Sequence, residues 1–167
     1  MSIRTAVESD LAQIVAIYNQ AVATGTSTAE TDPTTVEARP NWLRSHHSDQ
    51  YPIYVDVESE EIRGWCSLSP YRPGRMALRH TAEISYYVHE NHHRKGVASG
   101  LIHHAIADCA RLNLKSLFGI LLETNTASIR LLEKLGFEHW GHLPNVADFN
   151  GEECGHIYLG KRIQNSA

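Results

Sequence analysis

Nowhere in the 167 residues do 18 consecutive apolar residues occur, so no helical membrane span is expected. The amino terminus, MSIRTAVESD, lacks the apolar run of a signal peptide, and the chain reads as cytoplasmic. Basic charge is not in excess: 15 Lys and Arg against 19 Asp and Glu give a formal net charge of −4. That balance excludes a surface that grips nucleic acid mainly by neutralising phosphates, but it leaves room for a local basic loop around a small polyanion. Cysteine is scarce. Cys66, Cys109 and Cys154 are far apart, odd in number and not in a C-x-x-C pair, which argues against a disulfide framework or a zinc knuckle and leaves buried thiols.

Two phosphate-binding patterns are also missing. Neither G-x-x-x-x-G-K-[ST] nor G-x-G-x-x-G occurs, so nucleotide-hydrolase and dinucleotide readings lose support. The 11 histidines include no H-E-x-x-H helix. Instead they come as neighbours, His46/His47, His92/His93 and His103/His104, and adjacent residues on a helix or strand point in different directions. No metal site is expected.

What is present suits one ordinary domain with a proper core. SIRTAV reads as a strand, after which Ser9 or Asp10 can cap a helix whose Leu11, Ile14, Val15, Tyr18 and Val22 share a face. ATGTSTAETDP has no periodicity and reads as a loop. In PTTVEARPNWLRSHH, Thr34 and Glu37 have capping-box spacing and Pro40 interrupts, so two short helical pieces are expected. YPIYVDV, ESEEIRG and WCSLSPY read as a hairpin. In RHTAEISYYVHE, Ala82, Ile84, Tyr86 and Val88 share one strand face, which leaves Glu83, Ser85 and Tyr87 on the other. A carboxylate in so apolar a strand is unusual.

From Gly96, apolar residues recur at Val97, Leu101, Ala105, Cys109 and Leu112, so HENHHRKGVASGLIHHAIADCA is a tight basic turn leading into a helix. KSLFGILLE is a strand apolar enough to be buried on both faces. NTASIRLLEKLGF is a helix ended by Gly136, and the tail forms two strands around Asn150-Gly151. Strand-helix-strand units pair their strands in parallel, so an α/β mixed sheet covered by helices follows.

At the basic turn, the first N–H groups of the helix have no intrahelical partner, and the helix dipole adds positive potential. Such a point favours a phosphate. The turn alone leaves two readings open, an anion site or a solvated charged turn.

Three further segments bear on that choice. HHRKGVAS resembles the Q/R-x-x-G-x-G/A pyrophosphate signature of the GNAT superfamily of acyl-CoA-dependent N-acyltransferases, and NTASIRLLEKLGF resembles its N-x-x-S-x-x-L-x-x-K-x-G-F segment. IYNQAVATGTSTAETDPTT, GWCSLSPYRP and RHTAEISYYV are similar to the branch of phosphinothricin and methionine sulfone or sulfoximine acetyltransferases. The resemblance spans about residues 3–146. It implies a GNAT-type, mostly antiparallel α+β sheet with a splayed parallel strand pair, acetyl-CoA as co-substrate, no metal, a small amino-acid-like acceptor and a homodimer.

The resemblance also implies roles. Glu83 matches the catalytic glutamate. Tyr86, Tyr87 and Val88 line the pantetheine arm through their backbone, Arg94, Lys95, Gly96, Val97, Ala98 and Ser99 hold the pyrophosphate, and Asn125 contacts the cofactor. Arg75, Met76, Ala77 and Leu78, with Glu83, Ile84 and Ser85, line the acceptor pocket, where Arg75, or its neighbours Arg72 and Arg79, can hold a carboxylate through two parallel hydrogen bonds. The chemistry needs a base: an α-amine with a pKa near 8 is mostly protonated at pH 7, and only the free amine attacks a thioester. Glu83 could instead pair with Arg75 or Arg79. Two residues depart from the family pattern. His93 stands where Gln or Arg is usual, and Leu132 stands where relatives carry a Tyr or His that can protonate the leaving thiolate. Leu132 thus leaves open a binding module without chemistry, and a protein amino terminus is an alternative acceptor.

Overall fold

A computed structural model of the protein describes residues 2–164. One seven-stranded sheet organises it, in the order β1 (Ser2–Thr5), β2 (Ile53–Glu58), β3 (Glu61–Pro70), β4 (Thr81–Val88), β5 (Ser116–Leu122), β7 (Glu152–Arg162), β6 (Glu138–Phe149). Neighbours are antiparallel except β4 and β5. The mixed sheet expected from the sequence is therefore present, with its one parallel pair joined by a helical crossover.

Strand alternation divides the apolar residues between two faces. Tyr54, Cys66, Leu68, Ala82 and Ile84 join Val97, Leu101 and Ala105 of α3 (Val97–Asp108) and Leu132 of α4 (Thr126–Lys134) in the larger cluster. Ile53, Val55 and Trp65 face the other way, onto Ile14, Ile17, Tyr18 and Val22 of α1 (Leu11–Thr24), with Trp42 and Leu43 of α2 (Pro40–Ser45) packed alongside. The three cysteines are buried and free, as their spacing suggested.

Two tight turns set the hairpin registers. Ser59 and Glu60, at φ 50° and 69°, connect β2 to β3, and Asn150 and Gly151, at 55° and 93°, connect β6 to β7. Two consecutive left-handed residues make a turn whose twist matches that of the flanking strands.

One expectation fails. Thr34 and Glu37 do not open a helix, and the region holds only α2. Asn19 of α1 takes both backbone groups of Thr34, its Oδ1 accepting from the Thr34 N–H and its Nδ2 donating to the Thr34 carbonyl, each at 2.9 Å. Those groups are lost to a helical turn. Pro40 begins α2 rather than interrupting it, because its fixed φ and missing N–H suit the first helical position. Asp10 precedes α1 but makes no side-chain cap to it; its carboxylate instead accepts from Arg4 at 2.7 Å and the Val7 N–H at 2.8 Å.

The placement of α3 depends on Gly64 of β3. A Cβ there would stand 2.8 Å from Val97 Cγ1 and 3.0 Å from the Tyr87 carbonyl oxygen, so the helix start and β4 can approach only because the side chain is missing. Next to it, Arg63 holds Asp56 through Nη2 at 2.8 and 3.0 Å and Nε at 3.1 Å, with both side chains nearly fully buried. Gly64→Ala is expected to lower the unfolding free energy by about 1–3 kcal/mol through overpacking. Urea denaturation checks this: the midpoint should fall with the slope unchanged.

Candidate active site

The parallel pairing of β4 with β5 covers only Thr81–Ser116, Ala82–Leu117 and Glu83–Phe118. Beyond that the strands part. β4 remains paired with β3 along its length, and β5 with β7 from Ser116 to Leu122, so each stays extended while their facing edges, from Ile84 and Gly119 onward, lose each other. Leu132 Cδ1 reaches to within 3.1 Å of where a Gly119 Cβ would lie, which puts this fully buried leucine at the point of divergence.

The gap opens into a cavity of about 660 Å³, within the range of small-molecule sites. Its walls include Ile84, Ser85, Tyr86, Tyr87 and Val88 from β4, Ile120 and Leu121 from β5, and Asn125, Ser128 and Leu131 at the start of α4. Arg94, Gly96, Val97, Ala98 and Ser99 close one end. Of the residues assigned to the cofactor from the sequence, only Lys95 lies outside this lining, exposed on the turn.

The turn into α3 is left-handed at Arg94, φ 60°, and at Gly96, φ 81°. The first bond of the helix runs from the Gly100 N–H to the Gly96 carbonyl at 2.9 Å, so the N–H groups of Arg94 to Ser99 precede the helical ladder. They form a cluster of donors at the positive end of a 12-residue helix. His93 fastens this turn to the strand, its Nε2 lying 3.0 Å from the Val88 carbonyl oxygen. Asn125 is the N-cap of α4, with Oδ1 accepting from the Ser128 N–H at 3.3 Å. Its Nδ2 has no partner among the described residues, and Asn125 belongs to the cavity wall.

Glu83 sits at the last paired position, one residue before the gap. Its carboxyl is half-buried and makes neither an ion pair nor a hydrogen bond among the described residues. The alternative of a salt bridge to Arg75 or Arg79 is therefore not what the structure shows: Arg79 Nη1 donates to the Met76 carbonyl at 2.8 Å instead. Burial pushes the Glu83 pKa above the ordinary glutamate value. Such a carboxylate holds a proton more readily than a solvated one.

Arg75, Met76, Ala77 and Leu78 lie exposed on the loop between β3 and β4, the last three in a 3-10 turn, and outside the cavity lining. Ile84 and Ser85, by contrast, line it.

The sequence reading missed the environment on Glu83's side of the sheet. Tyr87 packs against Tyr18 at 5.1 Å and Trp65 at 4.9 Å between ring centroids, and the Arg39 guanidinium stacks over Tyr18 and Trp42 at 5.0 and 5.5 Å. Across from Glu83 on β3 is Ser69, whose hydroxyl lies 3.1 Å from His46 Nε2. Desolvation lowers the His46 pKa, partly offset by its Nδ1 contact to the Trp42 carbonyl. The aromatic spacing could have been noticed in the sequence; the convergence of α1, α2, β3 and β4 could not.

Two histidines that are not sequence neighbours also come together. Ligand atoms of Glu61, His89 and His92 lie within 4.8 Å of one another, because residues three apart eclipse on the 3-10 turn Glu90–His92. A tetrahedral zinc site needs edges of ~3.3 Å from its bond lengths. The side chains here have protein partners, His92 Nε2 lying 3.1 Å from Glu61 Oε1 and His89 Nε2 3.2 Å from Gln20 Nε2.

Comparison with known proteins agrees with this architecture. The Acetyltransferase (GNAT) family model matches residues 14–137. An L-methionine sulfoximine/L-methionine sulfone acetyltransferase of Pseudomonas aeruginosa is 34% identical over 146 residues, 87% of this chain and 84% of that protein. A phosphinothricin N-acetyltransferase of Streptomyces coelicolor is 33% identical over 144 residues, 84% of each. Among solved structures, YncA of Salmonella typhimurium with its cofactor acetyl-CoA superposes with a TM-score of 0.91 at 28% identity, covering all of this chain and 96% of that one. With a family match over most of its length and relatives this similar, the chain belongs to the GNAT family of acetyltransferases.

Proposed function

We propose that the protein transfers the acetyl group of acetyl-CoA to the α-amine of a small amino-acid-like acceptor of the methionine sulfone, methionine sulfoximine or phosphinothricin kind. The observation that carries this reading is the position of Glu83. A partly desolvated carboxylate with no partner among the described residues stands where the two strands separate, beside a cavity of about 660 Å³ whose lining includes a turn of free N–H donors. The residues fit acetyl-CoA: the N–H groups of Arg94 to Ser99 would hold its pyrophosphate, the edge of β4 left free beyond Glu83 would pair with its amides, and Asn125 Nδ2 would supply a further donor. When bound, acetyl-CoA supplies the activated acyl group.

Glu83 then accepts a proton from the acceptor's ammonium, directly or through a water, leaving a neutral amine to attack. At pH 7 the deprotonation costs about 1.4 kcal/mol per unit of pKa difference, an amount that a positioned base can offset. Arg75, exposed on the loop between β3 and β4, would offer a bidentate grip for the acceptor's carboxylate. The relatives named for methionine sulfoximine and phosphinothricin support an acceptor of that size and charge. Mixing the protein with acetyl-CoA and a panel of these compounds and ordinary amino acids tests the reading by thiol release. No release above background with any acceptor would favour a binding module without chemistry.

Two variants separate the halves of the site. Gly96→Val, which places a β-branched residue at φ 81°, should abolish acetyl-CoA binding in calorimetry; intact binding would remove the cradle from the assignment. Glu83→Gln should keep acetyl-CoA binding but lower kcat/KM by roughly 10²–10⁴ near neutral pH. The sign follows from the raised pKa: a base works only when ionised, so wild-type activity is lost as pH falls through a value above the ordinary glutamate range. In the variant that limb disappears, and the deficit shrinks as pH approaches the amine's own pKa. An unchanged pH-rate profile would exclude Glu83 as the base.

A further inference from the structure

Among the described residues, one buried side-chain polar atom has no hydrogen-bond partner, the hydroxyl of Tyr86. Such atoms are rare in folded proteins, because a buried hydroxyl without a partner forfeits its bonds to water and receives nothing in exchange. Tyr86 lies three residues beyond the end of the β4–β5 pairing, and it lines the cavity. Its ring packs on the larger apolar cluster, on the α3 and α4 side of the sheet. The Ser128 hydroxyl of α4 is close enough to act on its titration, but the two make no hydrogen bond of ordinary geometry.

Leu132 is one turn further along the same face of α4 as Ser128. Side chains on a helix lean back toward its N-terminus, so a residue at 132 serves the space above the turn at 128. Leucine has no proton to donate there. Tyr86 of β4 packs against the cluster that holds Leu132, with its hydroxyl within the influence of Ser128.

We propose that Tyr86 is a catalytic hydrogen-bond donor to the sulfur of acetyl-CoA as the carbon–sulfur bond breaks. This rests on the acetyl-transfer reading given above. In the step, one ammonium proton goes to Glu83, the freed amine nitrogen bonds to the acetyl carbon, the electron pair of the carbon–sulfur bond goes to sulfur, and the nitrogen loses its second proton to water as the amide forms. Burial pushes the Tyr86 pKa up to about 12, well above a thiol near 8.5. The hydroxyl therefore keeps its proton and stabilises the departing thiolate, which is protonated afterwards by water. A neutral thioester sulfur is a weak acceptor and a thiolate a strong one, so the bond strengthens in the transition state.

Tyr86→Phe tests this. It should lower kcat by about 10²-fold while leaving acetyl-CoA affinity within about twofold, the pattern of an interaction realised only in the transition state. Removing an unpartnered buried hydroxyl should leave the melting temperature unchanged or raised, so the loss of rate cannot be put down to misfolding. A second readout needs no turnover: the thiol of bound CoA, followed by thiolate ultraviolet absorbance, should titrate about one unit higher in the variant than in wild type. Weaker acetyl-CoA binding with kcat unchanged would overturn the proposal and make the hydroxyl a pantetheine contact, and an unchanged thiol titration would overturn it as well. Should wild type acetylate no acceptor, the acetyl-transfer reading fails, while the thiol titration still decides what Tyr86 does.

Discussion

The parting of β4 from β5 after three residue pairs is the constraint on which the rest of the molecule depends. Backbone N–H and C=O groups are obligatory hydrogen-bonding groups, and a sheet that opens in its middle leaves two edges in need of partners. The protein keeps both strands straight by holding each from its far side, β4 by β3 through Gly64–Val88 and β5 by β7 through Leu122–His156. The gap is thus rigid on both flanks. A ligand with regularly spaced amides can take the place of the missing strand pairing without any rearrangement of the sheet.

The same geometry orders the remaining parts along one line. Glu83 marks the last pair, the cavity begins at Ile84, and the turn at Arg94 to Gly96 lies at its far end. Two local devices hold that far end. Gly64 lets Val97 rest directly on the sheet, and His93 ties the turn to the Val88 carbonyl. The cradle is therefore referenced to β3 and β4 rather than to a free loop, which is what a site built from backbone donors requires.

Much of this was legible in the sequence. Alternation in TAEISYYV separated Glu83 from Ala82 and Ile84, the recurrence from Val97 to Leu112 found the helix, and Gly96 marked the tight turn before it. Where the pairing stops was not legible, because it is decided by what β5 and α4 do: β5 commits to β7, and Leu132 occupies the point of divergence. The failed capping box at Thr34 has the same cause, since Asn19, 15 residues away, took its backbone groups. The approach of His89 to His92 was likewise not legible from the neighbouring pairs. Adjacent residues do point apart, but His89 and His92 are three apart on a 3-10 turn and come together.

Strand periodicity has one more consequence for the chemistry. Residues 83 and 86 differ by an odd number, so their side chains leave β4 on opposite faces; Glu83 shares its face with Tyr87 and the aromatic group of α1, whereas Tyr86 packs toward α4. A thioester lying in the gap, in the plane of the sheet, would have a proton acceptor on one side and a hydrogen-bond donor on the other. That matches the demand of the reaction, in which positive charge is removed at nitrogen while negative charge builds at sulfur. Two groups of opposite tendency must not quench each other, and a carboxylate free to meet a tyrosine hydroxyl would simply bond to it. Separation by the thickness of one strand keeps the two apart, and among the described residues neither Glu83 nor the Tyr86 hydroxyl has a side-chain partner.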